Sequence, residues 1–128
     1  METIIICAFI AALIPYLAKL PLAFAMNKES KYDNKHPREQ QTRLTGFGAR
    51  TLAAHQNSFE SLIVFSVAIA VVLATENTSQ TIQILAIIYV LARIGYCLMY
   101  YFNQSTMRSL IWFISFICPL AMIWLSLP

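Results

Sequence analysis

The sequence predicts an all-α membrane protein, a single bundle of four transmembrane helices. Hydrophobic residues make up 59% of the 128 residues and charged residues only 12%, whereas a soluble domain is about half apolar and a quarter charged. The apolar residues fall in four runs, each near the ~20 residues that a helix needs to cross a bilayer. The length leaves room for one domain, residues 1–128, with short connections.

The four spans are predicted at residues 4–26, 51–74, 81–102 and 109–127. They must be helices, because backbone polar groups in lipid have to bond within their own segment. The first span is not expected to be a cleavable signal, since Glu2 precedes it and no basic stretch or small-residue cleavage site accompanies it.

Basic residues predict the orientation. The first connection, residues 27–48, holds Lys28, Lys31, Lys35, Arg38 and Arg43, and Arg108 follows the third connection, residues 103–107. The second connection has no base. The positive-inside rule then places the first and third connections in the cytoplasm and both termini outside. The net charge of +3 is read as this topological signal and predicts no nucleic-acid partner. The compact chain suggests a bacterial inner membrane.

Charged and polar side chains in the second span lie on one face. A helix turns about 100° per residue, which places Ala53, Asn57 and Glu60, together with Arg50 at the mouth of the span, in a stripe about 80° wide. In the third span, a second stripe of about 60° contains Tyr89, Arg93, Tyr96 and Tyr100.

Glu60 and Arg93 both lie about 15 Å inward from the cytoplasmic ends of their helices. Charged groups at membrane depth are costly and usually functional. The sequence therefore predicts that Glu60 and Arg93 form an ion pair. An alternative is that this pair only fixes the register of the two helices.

Other polar residues receive simpler interpretations. His55 lies about 140° from the stripe of the second span and is predicted to be a packing residue. Lys19 and Asn57 are also consistent with ordinary interhelical hydrogen bonding. The three cysteines, Cys7, Cys97 and Cys118, occur in different spans without metal-ligand spacing, so they are predicted to be core residues and no metal site is expected.

The start of the fourth span predicts an anion site. Ser105 or Thr106 is expected to cap the helix, with Arg108 and Ser109 in its first turn. A helix N-terminus offers free N–H donors and partial positive charge. With Arg108 it favours a small anion near the membrane surface, although a snorkelling arginine that anchors the helix is the alternative.

Two stretches together resemble the family of membrane-associated proteins in eicosanoid and glutathione metabolism (MAPEG), which includes microsomal glutathione transferases. They are "AHQNSFE" in the second span and "ARIGYCLMYYFNQSTMRS" across the third and fourth spans. The resemblance implies a homotrimer of four-helix protomers, embedded in membrane lipid, that binds glutathione between neighbouring protomers near the cytoplasmic face.

The resemblance also implies roles for individual residues. Asn57 and Glu60 would hold the glutamyl end of glutathione, steadied by Arg93, and Tyr96 and Tyr100 would contact its backbone. Arg108 would lie near the thiol, with Ser109 as a second candidate. Many members carry an arginine at the position of Ala53. Arg50, one turn earlier on the same face, would contact a carboxylate instead.

The implied function is that of a glutathione-dependent transferase or peroxidase in detoxification, acting on lipophilic electrophiles or hydroperoxides. Ala53 supports an alternative, a non-catalytic membrane scaffold or lipid-binding protein with the same fold. A small transporter is disfavoured, because the polar residues cluster at one end and form no pathway across the membrane.

Overall fold

The computed structural model describes residues 1–128 and contains six α-helices and no strand. They are α1 (Glu2–Leu17), α2 (Lys19–Ser30), α3 (Pro37–Thr42), α4 (Gly46–Ala74), α5 (Gln80–Tyr101) and α6 (Ser105–Trp124). Because α1 and α2 together form one stretch, four stretches are long and apolar enough to cross a membrane. The predicted all-α four-helix membrane fold is confirmed.

The first span is interrupted at Ala18, which the sequence analysis did not predict. Pro21 lies in the first turn of α2; a proline has no amide donor and its ring clashes with the carbonyl four residues before it, here that of Leu17, the last residue of α1. The helix resumes at Lys19 and ends at Ser30, beyond the predicted end at residue 26. It ends where Lys31 adopts a positive φ of 63°, a conformation that non-glycine residues rarely adopt within regular structure.

The first connection contains a short helix, α3, that was also not predicted. Pro37 begins it, and proline is well suited to the first helical position because its fixed φ is already helical. Gln40 holds α3 in place: its side chain is fully buried and donates to the carbonyls of Met26 at 2.9 Å and Lys31 at 3.0 Å. These bonds satisfy carbonyls at the end of α2 that would otherwise lack partners.

The bundle is packed unevenly along its length. The end that carries both chain termini, here called the terminal end, contains a core of twelve buried residues from all four spans. It is tied further by Asn77, whose amide donates to the carbonyl of Leu125 at 2.9 Å. The opposite end, with the basic connection, is here called the basic end and has a core of only four buried residues.

α5 lies centrally and packs against α1, α4 and α6. The three cysteines are free and buried, and all three belong to the two cores, as predicted. The smaller core contains no residue of α6.

Candidate functional site

A cavity of about 190 Å³ lies between α4 and α6, and two of the predicted site residues, Asn57 and Glu60, line it. The lining residues are Asn57, Glu60, Ser61 and Val64 from α4 and Trp112, Ser115, Phe116 and Pro119 from α6. We call this feature, together with the residues at its mouth described below, the polar groove.

Arg93 of α5 lies behind the cavity and is only 1% exposed. Its Nη2 donates to Asn57 Oδ1 at 2.9 Å and its Nη1 donates to Ser115 Oγ at 3.4 Å. The guanidinium carbon lies 4.2 Å from the centre of the Tyr96 ring, a distance at which a cation is attracted to an aromatic face. Its Nε is buried without a hydrogen-bond partner. One guanidinium therefore joins α4, α5 and α6.

The predicted ion pair between Glu60 and Arg93 is wrong. The one contact within 4.0 Å between a basic and an acidic side chain joins His36 to Asp33 in the basic connection. Asn57 intervenes: it accepts from Arg93 through Oδ1 and donates through Nδ2 to Glu60 Oε2 at 2.9 Å. Asn57 lies on the same face of α4 as Glu60, one turn earlier, and its amide therefore occupies the position between the carboxylate and the guanidinium. Glu60 belongs to the same network but is not neutralised by direct contact.

Two cations meet at the mouth of the polar groove around Tyr100. Arg50 Nε donates to the Tyr100 carbonyl at 3.1 Å, and the Arg108 guanidinium carbon lies 4.3 Å from the centre of the Tyr100 ring. The Tyr96 ring meets the Tyr100 ring edge-on, with 5.2 Å between centroids. Arginines from α4 and α6 are thus fixed on the same tyrosine, which makes the mouth electropositive and suited to an anion.

The start of α6 differs from the predicted cap. The N-cap residue is Gln104, and no side chain caps the helix, because the turn at Asn103, with φ of 57°, starts the helix one residue earlier than expected. The first N–H groups of α6 therefore have no side-chain partner and add to the positive potential beside Arg108. Ser109 is exposed, and its hydroxyl donates to the Ser105 carbonyl at 3.1 Å; the structure does not join it to the groove network.

His55 is a packing residue, as predicted. Its Nδ1 lies 2.8 Å from the carbonyl of Pro15, and its ring meets Phe59 edge-on. Because a carbonyl only accepts, Nδ1 must donate to it. Nε2 makes no hydrogen bond within the chain. Lys19 is separate from the groove, with its Nζ 5.9 Å from the centre of the Tyr32 ring.

A second polar cavity, which the sequence analysis missed, lies on the other side of α4. Its volume is about 400 Å³. It is lined by Arg38, Gln41 and Thr42 from α3 and by Leu52, His55, Gln56 and Phe59 from α4. The only advance signal was Pro37, a helix-start residue whose helix brings Arg38 towards α4.

Ser61 and Ser115 were also missed. Ser61 shares a hydrogen bond of 3.0 Å with the Tyr89 hydroxyl, and Ser115 accepts from Arg93. The available signal was helical spacing, because Arg108, Trp112 and Ser115 follow one another at intervals of four and three residues and so share a face of α6.

Comparison with known proteins gives one positive result. The family model described as MAPEG family matches residues 3–128. No curated protein and no solved structure matches the chain. The matched range includes every residue of the polar groove and all four spans, apart from Glu2, the first residue of the first span.

Proposed function

Since the chain belongs to the MAPEG family, we propose that it is an integral membrane enzyme that uses glutathione as co-substrate. It acts as a transferase or peroxidase on lipophilic electrophiles or hydroperoxides dissolved in the bilayer. Membership supports a membrane function related to glutathione or eicosanoids in general. The observation that carries the specific proposal is the charge arrangement of the polar groove, with two arginines at the mouth and a carboxylate deeper inside.

The groove complements the charges of glutathione. Glu60 lines the cavity and uses only Oε2 in its bond with Asn57, so the other carboxylate oxygen is available for the ligand's ammonium group. Because Asn57 lies between Glu60 and Arg93, no guanidinium occupies the carboxylate by direct contact. A carboxylate of glutathione is attracted to Arg50, with which it can form a charge-assisted hydrogen bond, and Arg108 is left for the thiol.

The proposed chemistry is activation of the glutathione thiol. A free thiol has a pKa near ~8.5 and is mostly protonated at neutral pH. Arg108 and the uncapped start of α6 favour the thiolate and so lower that pKa. The thiolate attacks an electrophilic carbon, and the leaving group departs with its electron pair. With a hydroperoxide, the thiolate attacks the terminal oxygen, the O–O bond breaks, and the alkoxide leaves as an alcohol once it takes up a proton. The glutathione sulfenic acid that remains reacts with the thiol of a second glutathione to give the disulfide and water.

Tyr96 and Tyr100 are proposed to contact the peptide backbone of glutathione, and Ser109 remains a second candidate for contact with the sulfur. Aromatic and aliphatic side chains, Trp112, Phe116 and Val64, line the inner cavity. They offer an apolar surface to a substrate that arrives from lipid, while the protein contributes positioning and electrostatics.

The assembly is proposed to be a homotrimer. Glu60 is exposed in the single chain although it lies about 15 Å inside the span, and a charge facing lipid is costly. A ring of identical chains joins two different faces of the protomer. The second polar cavity, with Arg38 and Gln41, lies on the other side of α4 and supplies a polar face to cover the groove of a neighbour and complete the ligand site.

The test compares two ligands on the detergent-solubilised protein by calorimetry. These are glutathione and glutaryl-cysteinylglycine, which lacks only the amino group. We expect the wild type to prefer glutathione by about 10- to 100-fold, the range for a charge-assisted hydrogen bond. Glu60→Gln should abolish the preference. Glu76→Gln, which alters a carboxylate outside the groove, should retain it. Equal affinities in the wild type, or no binding, would contradict the proposal.

A second candidate, a non-catalytic scaffold or lipid-binding protein, is favoured by Ala53. This residue lies on the groove stripe between Arg50 and Asn57 and adds no positive charge where many family members carry an arginine. The two functions differ in one observable. The enzyme should increase the ultraviolet absorbance of the glutathione thiolate when the ligand binds, whereas the scaffold should not.

A further inference from the structure

We infer that Ser115 is a positioning residue of the glutathione site: it orients Arg93 and, through Arg93 and Asn57, the carboxylate of Glu60. The inference rests on the proposed function and extends it to a residue of α6. It follows from the direction of each hydrogen bond in the network.

The hydroxyl of Ser115 has a fixed role. It donates its only proton to the carbonyl of Trp112 at 2.8 Å, so its oxygen faces Arg93 Nη1, 3.4 Å away, as an acceptor. Ser115 and Arg93 are each 1% exposed, and bulk water therefore does not replace this contact.

Arg93 in turn fixes the direction of the Asn57 amide. Its Nη2 requires an acceptor, so Asn57 must present Oδ1 to Arg93 and therefore Nδ2 to Glu60. With this orientation one carboxylate oxygen is held and the other is left free. If the Asn57 amide were reversed, its NH₂ group would face the guanidinium and its oxygen would face the carboxylate, and both contacts would be repulsive.

Arg93 has no reserve partner that could replace Ser115. Its Nε is already unpaired, and its remaining contacts are Asn57 and the face of the Tyr96 ring. Loss of the Ser115 oxygen would leave a second buried donor unsatisfied, which is costly at this depth. The guanidinium would then be held only by Asn57 and the Tyr96 ring, and it should no longer fix the Asn57 amide in one orientation.

The experiment measures the preference for glutathione over glutaryl-cysteinylglycine in Ser115→Ala. We expect the preference to fall about tenfold, the loss that corresponds to one hydrogen bond to a charged group. Ser115→Thr keeps the hydroxyl and should retain the preference. Ser126→Ala is the matched control, because Ser126 is also buried and its hydroxyl also donates to a preceding backbone carbonyl, that of Met122 at 2.9 Å, but at the terminal end.

The outcomes separate the two proposals. If Ser115→Ala lowers affinity for both ligands equally, Ser115 acts only in packing or contacts a shared part of the ligand, and the positioning role is wrong. If Ser115→Ala lowers the preference further in an Asn57→Ala background, its effect does not pass through Asn57 and the inference is also wrong. If the wild type shows no preference, the proposed function fails first, and this inference falls with it.

Discussion

The guanidinium carbon of Arg108 lies 4.3 Å from the centre of the Tyr100 ring, so the first turn of α6 rests on an aromatic residue of α5. The backbone of the same tyrosine accepts a hydrogen bond from Arg50. A single residue therefore sets the spacing of the two arginines at the mouth of the polar groove.

Arg108→Gln should abolish the thiolate signal of bound glutathione and lower turnover by about 100-fold, the scale observed when one stabilising donor is removed from a catalytic site. Ultraviolet difference spectra and steady-state rates measure the two effects. Arg43→Gln, which removes an arginine from the basic connection, is the control and should leave both unchanged. A full thiolate signal in Arg108→Gln would assign the activation to another group.

The Tyr100 ring should contribute separately from its hydroxyl. Tyr100→Leu removes the aromatic face beneath Arg108, and a cation on such a face gains about 0.5–2 kcal/mol, so the affinity for glutathione should fall roughly 2- to 30-fold. Tyr100→Phe retains the face and should reduce affinity less. Calorimetry decides between them: equal losses would show that the hydroxyl, rather than the ring, is the important part.

Gln40→Glu should loosen the basic connection. The buried amide donates to the carbonyls of Met26 and Lys31, and an ionised carboxylate cannot donate to either. We expect cleavage by trypsin within the connection to become roughly 30-fold faster, the change expected for the loss of two hydrogen bonds of about 1 kcal/mol each. Gln41→Glu is the matched control, since the Gln41 amide makes only a distant contact of 3.9 Å with the Met26 sulfur. Equal cleavage rates in the two variants would contradict the role of Gln40.

Asp33 should give the connection a dependence on acidic pH. The backbone N–H of His36, and then that of Lys35, donate to its carboxylate at 2.9 Å and hold the pKa of Asp33 below its ordinary value. A lowered pKa means that the folded turn favours the charged carboxylate. The turn's stability is therefore fully present above the pKa of an unfolded aspartate, ~3.9, and is lost as the pH falls through the lower folded value.

The amide resonances of Lys35 and His36 measure this transition. Their shifts should titrate with a midpoint below that of an aspartate in an unstructured peptide, and Asp33→Asn should abolish the titration while keeping an acceptor. A midpoint at or above the peptide value would contradict the hydrogen-bonded turn.

The orientation of the chain is tested by labelling single cysteines. The native cysteines are buried, so they should react little with a membrane-impermeant maleimide. Lys35→Cys should react only from the cytoplasmic side and Glu76→Cys only from the opposite side, because basic connections are retained in the cytoplasm. The reverse pattern would overturn the predicted topology.

Much of the fold was predictable because a bilayer imposes strong constraints on composition and length. The runs of apolar residues gave all four spans, but not the interruption at Ala18. A proline inside a helix does not by itself show whether the helix bends, breaks or continues. Helix α3 was missed because its position depends on Gln40, whose partners are carbonyls at the end of α2 and in the turn after it, and carbonyls carry no sequence signal.

For the site, spacing predicted which residues lie at one level but not which of them touch. Depth and angle placed Glu60 opposite Arg93, yet the two are joined only through Asn57. Contact depends on the length and conformation of each side chain, and helical periodicity carries no information about either. His55 was correctly assigned to packing. The cavity beside it depends on a helix in the connection, and the predicted spans did not include that helix.

The bond from Asn77 to Leu125, with the large core behind it, closes the bundle at the terminal end. The groove therefore opens only at the basic end, and reactants and products share this opening or leave laterally into lipid. A conjugate that retains its glutathionyl part must depart through the opening that the next glutathione needs. Product inhibition competitive with the thiol is the expected kinetic consequence of this one-ended architecture.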